Sequence, residues 1–264
     1  MINPSLPVAV ITGAASGLGL DLAKQLATQY QLVLIDLDLK LLQEQCGQII
    51  NAQLYGCDLA NKDELDELIT QIKAKHCSIA LLINNAGITH RSLARITRPE
   101  VIEKVMAVDY FAPVRLVSGL IEPLQQAHGK IVNISSMAGW MPVMARAGYC
   151  AAKSALHQYF ETFRAEMRPT GVSVLMVYPS FLDTPIDKNA LNGDGGKTNH
   201  ARSMVGKMRT SDWMAKQICK AIRLDKQRLF PDRFTYFSAL LYRLIPRLYM
   251  HFMARKFASE WEVA

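Results

Sequence analysis

Tyr149 and Lys153 stand four positions apart in "AGYCAAKSAL", residues 147–156, a run that is otherwise small and apolar. A helix with about 3.6 residues per turn stacks positions i and i+4 on one face, so the spacing predicts neighbouring side chains. An ammonium beside a phenol favours the phenolate. The expected consequence is a tyrosine pKa drawn down from about 10 towards the working range of a general acid/base. A second chemical signature lies at the other end of the chain. "TGAASGLG", Thr12 to Gly19, places glycines at 13, 17 and 19 directly after an apolar run. Glycines so placed permit a tight turn and let an anionic group approach the backbone at a helix N-terminus, where unpaired N–H groups collect.

These groups need a scaffold, and the hydropathy pattern supplies one. Short apolar runs at 8–11, 32–35, 79–83, 130–134 and 173–178 read as buried strands, with 52–56 a weaker candidate. Helix-compatible segments at 17–30, 39–50, 62–75, 99–125 and 149–167 alternate with them. That alternation predicts an α/β fold, a doubly wound parallel sheet in three α/β/α layers. In this setting the glycine loop follows the first strand and opens a helix, the context of a dinucleotide site. Asp36 ends the second strand, seventeen residues beyond Gly19. A carboxylate there accepts hydrogen bonds from an adenosine ribose and repels a 2′-phosphate. Ser16 precedes Gly17, and Leu37, Asp38 and Leu39 follow Asp36, so no cation offsets it; the reading is NAD, with NADP disfavoured.

With these motifs in order, the chain resembles the short-chain dehydrogenases/reductases, single-domain Rossmann oxidoreductases, from about Val8 to Thr184. "CDLA" carries Asp58 and Leu59, "NNAG" carries Asn85, Ala86 and Gly87, "NISSMAG" carries Ser136 thirteen residues before Tyr149, and "YCAAK" matches the family's Tyr-x-x-x-Lys signature. The resemblance implies catalytic roles for Asp109, Ser136, Tyr149 and Lys153. It implies cofactor contacts from Gly13, Ser16, Gly17, Leu18, Gly19 and Asp36, and from Asp58, Leu59, Asn85, Ala86 and Gly87. Tyr149, Lys153, Pro179 and Thr184 complete that set. It also implies a substrate pocket formed by Ser136, Met137, Trp140, Met141, Tyr149, Ser180 and Phe181. Two positions depart from the family pattern. Asp109 replaces an asparagine that helps order a water chain behind the lysine, and Ser180 replaces the glycine that usually follows Pro179.

The implied reaction is hydride transfer between nicotinamide and a secondary alcohol/ketone or a lipophilic alcohol/aldehyde. An acyl-chain ketoreductase is a second reading, supported by a basic surface that suits an acidic carrier but opposed by Asp36. A dinucleotide-binding redox sensor without turnover is a third, supported only by Asp109. The expected assembly is a homodimer or homotetramer.

Composition bounds the rest. The 264 residues are half hydrophobic and one-fifth charged, a globular balance. Five cysteines form no C-x-x-C pair, which fits a reduced, cytoplasmic setting. Six histidines show no metal-ligand spacing, so no metal site is expected. The first residues show no signal peptide or anchor pattern. The net charge is +7, yet 202–256 alone hold 13 Lys or Arg against three acids. This excess suits an acidic partner or a membrane surface at that end, or a solvated basic face; with no nucleic-acid motif beside it, no DNA or RNA partner is expected. Residues 1–231 are expected to form the catalytic domain, including a mobile substrate loop at 186–208. Residues 232–264 form an apolar, basic extension in which Phe237, Leu240, Leu241, Leu244, Leu248 and Phe252 recur at helical spacing. That stripe either covers the protein's own pocket or a subunit contact, or lies in a membrane interface, with Pro246 bending the segment and preventing a span.

Overall fold

In the computed structural model of this chain, the structure describes residues 5–198 and 208–258. The aliphatic runs become strands β1 (Val8–Thr12), β2 (Gln31–Asp36), β3 (Ala52–Gly56), β4 (Leu81–Asn84), β5 (Lys130–Ile134) and β6 (Ser173–Val177). Short strands β7 (Leu182–Asp183) and β8 (Arg209–Thr210) pair with each other, and β9 (Arg228–Leu229) joins the main sheet. The seven-stranded sheet runs β3-β2-β1-β4-β5-β6-β9, and every pairing is parallel. Strands buried on both faces need apolar side chains at consecutive positions, which is why β1, β4 and β6 read as unbroken aliphatic runs.

The helices are α1 (Gly17–Leu26), α2 (Leu39–Cys46), α3 (Lys62–Lys75), α4 (Pro99–Met106), α5 (Ala112–Gly119), α6 (Ile121–Gln126), α7 (Ala147–Glu166), α8 (Ser211–Arg223), α9 (Arg233–Leu244) and α10 (Pro246–Lys256). Period-2 alternation divides the core between the two sheet faces. Val10, Val33 and Ile131 meet Leu65 of α3, Leu116 of α5, and Leu156 and Phe160 of α7. Ala9, Ile11, Leu32 and Leu34 meet Leu22 of α1, Leu42 of α2 and Ile218 of α8. The three-layer α/β/α arrangement is therefore as expected. The sheet order reverses between β1 and β4, and that switch point opens the crevice where such sheets bind ligands.

Several boundaries differ from the sequence reading. The helix expected over 99–125 is three helices, with a π-helical turn at Ala107–Phe111 between α4 and α5. The helix expected over 39–50 stops at Cys46, and Asn51 turns the chain into β3 with a left-handed φ of 67°. Helix α7 begins two residues earlier than expected, at Ala147. Of the connection 186–208, residues 187–198 form turns and isolated bridges, whereas 199–207 lie outside the described residues. The C-terminal segment divides at Ile245 and Pro246 into α9 and α10, because proline starts a helix well and cannot continue one.

Candidate active site

The crevice is a cleft of about 580 Å³ along the C-terminal ends of the strands, with the glycine loop at one end and Ser136 and Tyr149 at the other. Gly13 and Gly17 have φ of +67° and +52°, the left-handed region that favours glycine. A Cβ on Gly13 would stand 2.8 Å from the Ala86 Cα, and one on Gly17 would stand 3.3 Å from the Thr184 side chain. Thr12 pins the loop to "NNAG": its Oγ1 accepts from the Asn85 and Ala86 N–H groups at 3.1 and 3.0 Å. The Asn85 amide in turn donates to the Thr12 and Gly13 carbonyls at 3.0 and 3.1 Å. No side chain caps α1, so its leading N–H groups at the cleft remain for an anion. Asp36 Oδ2 accepts from the Ala15 N–H at 2.9 Å, which holds its carboxylate at the loop. A glycine cradle with left-handed backbone at Gly13 and Gly17, an uncapped helix start and a carboxylate beyond it fit a dinucleotide.

The other end is built on α7, where the i, i+4 spacing sets Lys153 Nζ 5.8 Å from the Tyr149 ring centre. Lys153 is 4% exposed; its ammonium donates to the Ile134 carbonyl at 3.0 Å and pairs with Asp109 Oδ2 at 3.2 Å. The π-helical turn carries Asp109 into this position, fully buried, and its Oδ1 accepts from the Ile88 N–H at 2.8 Å. Burial raises the Asp109 pKa, against the pull of Lys153 and the Ile88 N–H. Burial also works against the Lys153 ammonium, but Asp109 and Tyr149 outweigh it and its pKa is raised. Tyr149 departs from the sequence reading. Burial raises its pKa and Asp109 adds to that, while Lys153, Ser136 and Arg146 pull the other way without prevailing. This chain's own groups thus hold the phenol protonated.

The sequence profile of the family described as short chain dehydrogenase matches residues 7–194. The chain is 32% identical over 266 aligned positions to the dehydrogenase/reductase SDR family member 7B of Xenopus tropicalis, covering 96% of this chain and 86% of that one. Two solved structures share the fold. A short-chain dehydrogenase/reductase from Burkholderia phymatum in complex with NAD has a TM-score of 0.78 at 21% identity, covering 94% of this chain and 96% of that one. A short-chain dehydrogenase from Burkholderia cenocepacia in complex with NADP also has a TM-score of 0.78 at 21% identity, over 94% and 97% of the two chains. The chain belongs to the short-chain dehydrogenase/reductase family. It is an oxidoreductase.

In this short-chain dehydrogenase/reductase the cleft gathers most of the residues singled out from sequence. Gly13, Ser16, Gly17, Leu18 and Asp36 line it at the loop, and Asp58, Leu59, Asn85, Ala86 and Gly87 continue the wall. Ser136, Met137, Met141, Tyr149, Pro179, Ser180, Phe181 and Thr184 complete it. Ser180 is not among the residues with left-handed φ, so replacing the usual glycine introduces no strain there.

Four of the residues singled out do not line the cleft. Trp140 does not line the cleft; its ring packs among His157, Tyr178 and Phe230, with the Arg243 guanidinium 4.1 Å from its centre. Gly19 serves packing, since a Cβ there would stand 2.0 Å from the Gly13 carbonyl oxygen. Asp109 contacts Lys153 directly and does not reach the cleft. Lys153 sits behind the cleft wall, its ammonium close to both Gly87 and Tyr149.

His90 was invisible in the sequence. It is fully buried, and its Nε2 accepts from the Gly148 N–H at 2.9 Å, capping α7 one residue before Tyr149. Accepting at Nε2 leaves the proton on Nδ1, which donates to Ser92 Oγ at 3.1 Å. Burial, then the charge of Arg146, pushes its pKa down to about 4. Arg146 itself lines the cleft and pairs with Asp187 at 3.3 Å, tying the start of α7 to the substrate loop.

Proposed function

We propose that this oxidoreductase uses NAD in preference to NADP and interconverts a lipophilic secondary alcohol and ketone, or a lipophilic alcohol and aldehyde, with Tyr149 as the acid/base. The observation that carries the reading is Tyr149 in the cleft wall beside Ser136, backed by the buried Lys153 ammonium 5.8 Å from its ring centre. Bound nicotinamide would supply or accept the hydride. In the reducing direction Tyr149 gives its proton to the carbonyl oxygen, and Ser136 Oγ holds that oxygen in line. Lys153 and Ser136 stabilise the phenolate that remains. Asp109 keeps Lys153 charged and in place. Gly13, Gly17 and the start of α1 would hold the pyrophosphate, and Asp36 the adenosine ribose.

Asp36 supports NAD, because its charge opposes a 2′-phosphate and, among the described residues, no cation lines the cleft beside it. Met137, Met141, Val143, Phe181 and Ile186 give the substrate end an apolar lining, which supports a lipophilic substrate. A screen of alcohols and ketones of increasing chain length, run with NAD(H) and NADP(H), tests both points. Turnover rising with chain length and favouring NAD(H) is expected; preference for short polar substrates or for NADP(H) contradicts the reading.

A further inference from the structure

The stripe read from the sequence as either a cover for the protein or a membrane contact lies mostly on the outer side of α9 and α10, with Leu241 alone of it packed inward. Tyr249 and Met253 of α10, with Phe257 just beyond its end, are buried and packed with Met141, Val143 and Met144. The Tyr249 hydroxyl donates to the Pro142 carbonyl at 2.9 Å, and Arg243 of α9 stacks on Trp140. The pair is therefore fastened beside the cleft, whose wall includes Met141 and Val143. Its outer side is apolar: Phe237 is 60% exposed, Leu244 70%, Ile245 51% and Phe252 54%, with Leu240 and Leu248 also exposed. Around them stand the exposed cations Arg233, Arg247, Arg255 and Lys256, and no carboxylate side chain occurs from Arg233 to Ala258.

We propose that α9 and α10 form a docking surface for an anionic lipid membrane, lying in the interface with their outer apolar side chains inserted. Charge decides between the candidate occupants. In a two-fold contact each copy presents the same patch, so pairing this face with itself would bring both sets of cations together. An anionic bilayer offers phosphate groups to the cations and acyl chains to the apolar residues. Depth follows from length. Twelve-residue α9 rises about 18 Å, against a hydrocarbon core of about 30 Å. Pro246 ends its continuity with α10. Among the described residues no helix is long and apolar enough to cross a membrane.

The test is flotation of the full chain with vesicles of mixed phosphatidylglycerol and phosphatidylcholine, or of phosphatidylcholine alone. Two variants accompany it: Leu244→Ser with Phe252→Ser, which leaves charge unchanged, and Arg247→Glu. Thermal melting confirms that each remains folded, as expected for exposed positions. The parent should float with the anionic vesicles and not with the neutral ones. The apolar double variant should bind about tenfold more weakly or worse, given the loss of two inserted side chains, and Arg247→Glu should also bind more weakly. Failure of the parent to float with anionic vesicles overturns the proposal. So does undiminished flotation of the apolar variant, which would mean that net charge alone is acting. If sedimentation equilibrium shows the apolar variant splitting a dimer that ignores vesicles, the face belongs to a second copy.

Discussion

Asp109 and Lys153 form a buried ion pair, Oδ2 to Nζ 3.2 Å, behind the phenol of Tyr149. The aspartate's charge raises the pKa of the lysine and of the tyrosine alike. It keeps the ammonium charged in a buried site, yet it opposes the phenolate.

Asp109→Asn therefore has a directional outcome. The amide keeps an oxygen for the Ile88 N–H but removes the charge, so both the Tyr149 and Lys153 pKa values should fall. Alcohol oxidation requires the phenolate, so its rising limb with pH should move to lower pH. A pH profile of kcat in the oxidising direction measures this; an unmoved limb would show that the pair does not tune Tyr149.

Asp36 both accepts from the Ala15 N–H and faces the cleft, so Asp36→Ala would disturb the glycine loop as well as cofactor choice. Asp36→Asn separates the two effects by keeping an acceptor oxygen. The parent should bind NADH more tightly than NADPH, and the variant should narrow that gap by about tenfold. Fluorescence titration with both cofactors reads it. Equal narrowing in a variant far from the cleft would discount the charge argument.

His90 links the start of α7 to the pH of the medium. Its native pKa of about 4 lies below the ordinary value of 6.5, so the unfolded chain binds the proton first as pH falls. Its contribution to stability is intact above about pH 6.5 and is lost as pH falls towards 4, a cost of about 3 kcal/mol at that pH. His90→Gln retains an acceptor for the Gly148 N–H without titrating. The difference in unfolding free energy between parent and variant should change by about that amount between pH 7 and pH 4. A difference independent of pH would mean that His90 is not buried neutral.

Much of this arrangement was legible in the sequence, for reasons that differ by residue. The parallel strands showed because burial on both faces demands continuous aliphatic runs, as in "VAVIT" and "SVLMV". Gly13 and Gly17 showed because their backbone conformations admit almost nothing else, and Tyr149 and Lys153 because their chemistry requires those residue types at that spacing. The π-helical turn did not show: "AVDYF" has no local signature, and the turn is held by packing against α7. Nor did His90, which meets Gly148 across 58 residues. The tail was left open for a third reason. Phe237, Leu240, Leu244, Leu248 and Phe252 share a helical spacing with Tyr249, Met253 and Phe257, and periodicity alone cannot say which stripe meets the protein.

Tyr149→Phe tests the central claim most directly. The variant keeps the ring that packs beside Ala138 and Ala152 and removes only the hydroxyl. Once a turnover substrate is in hand, kcat should fall by about 10²–10⁴-fold, the usual contribution of a general acid/base, with NADH affinity nearly unchanged. Near-parental kcat in a variant that still binds NADH would contradict the account, and the proton would have to come from another group.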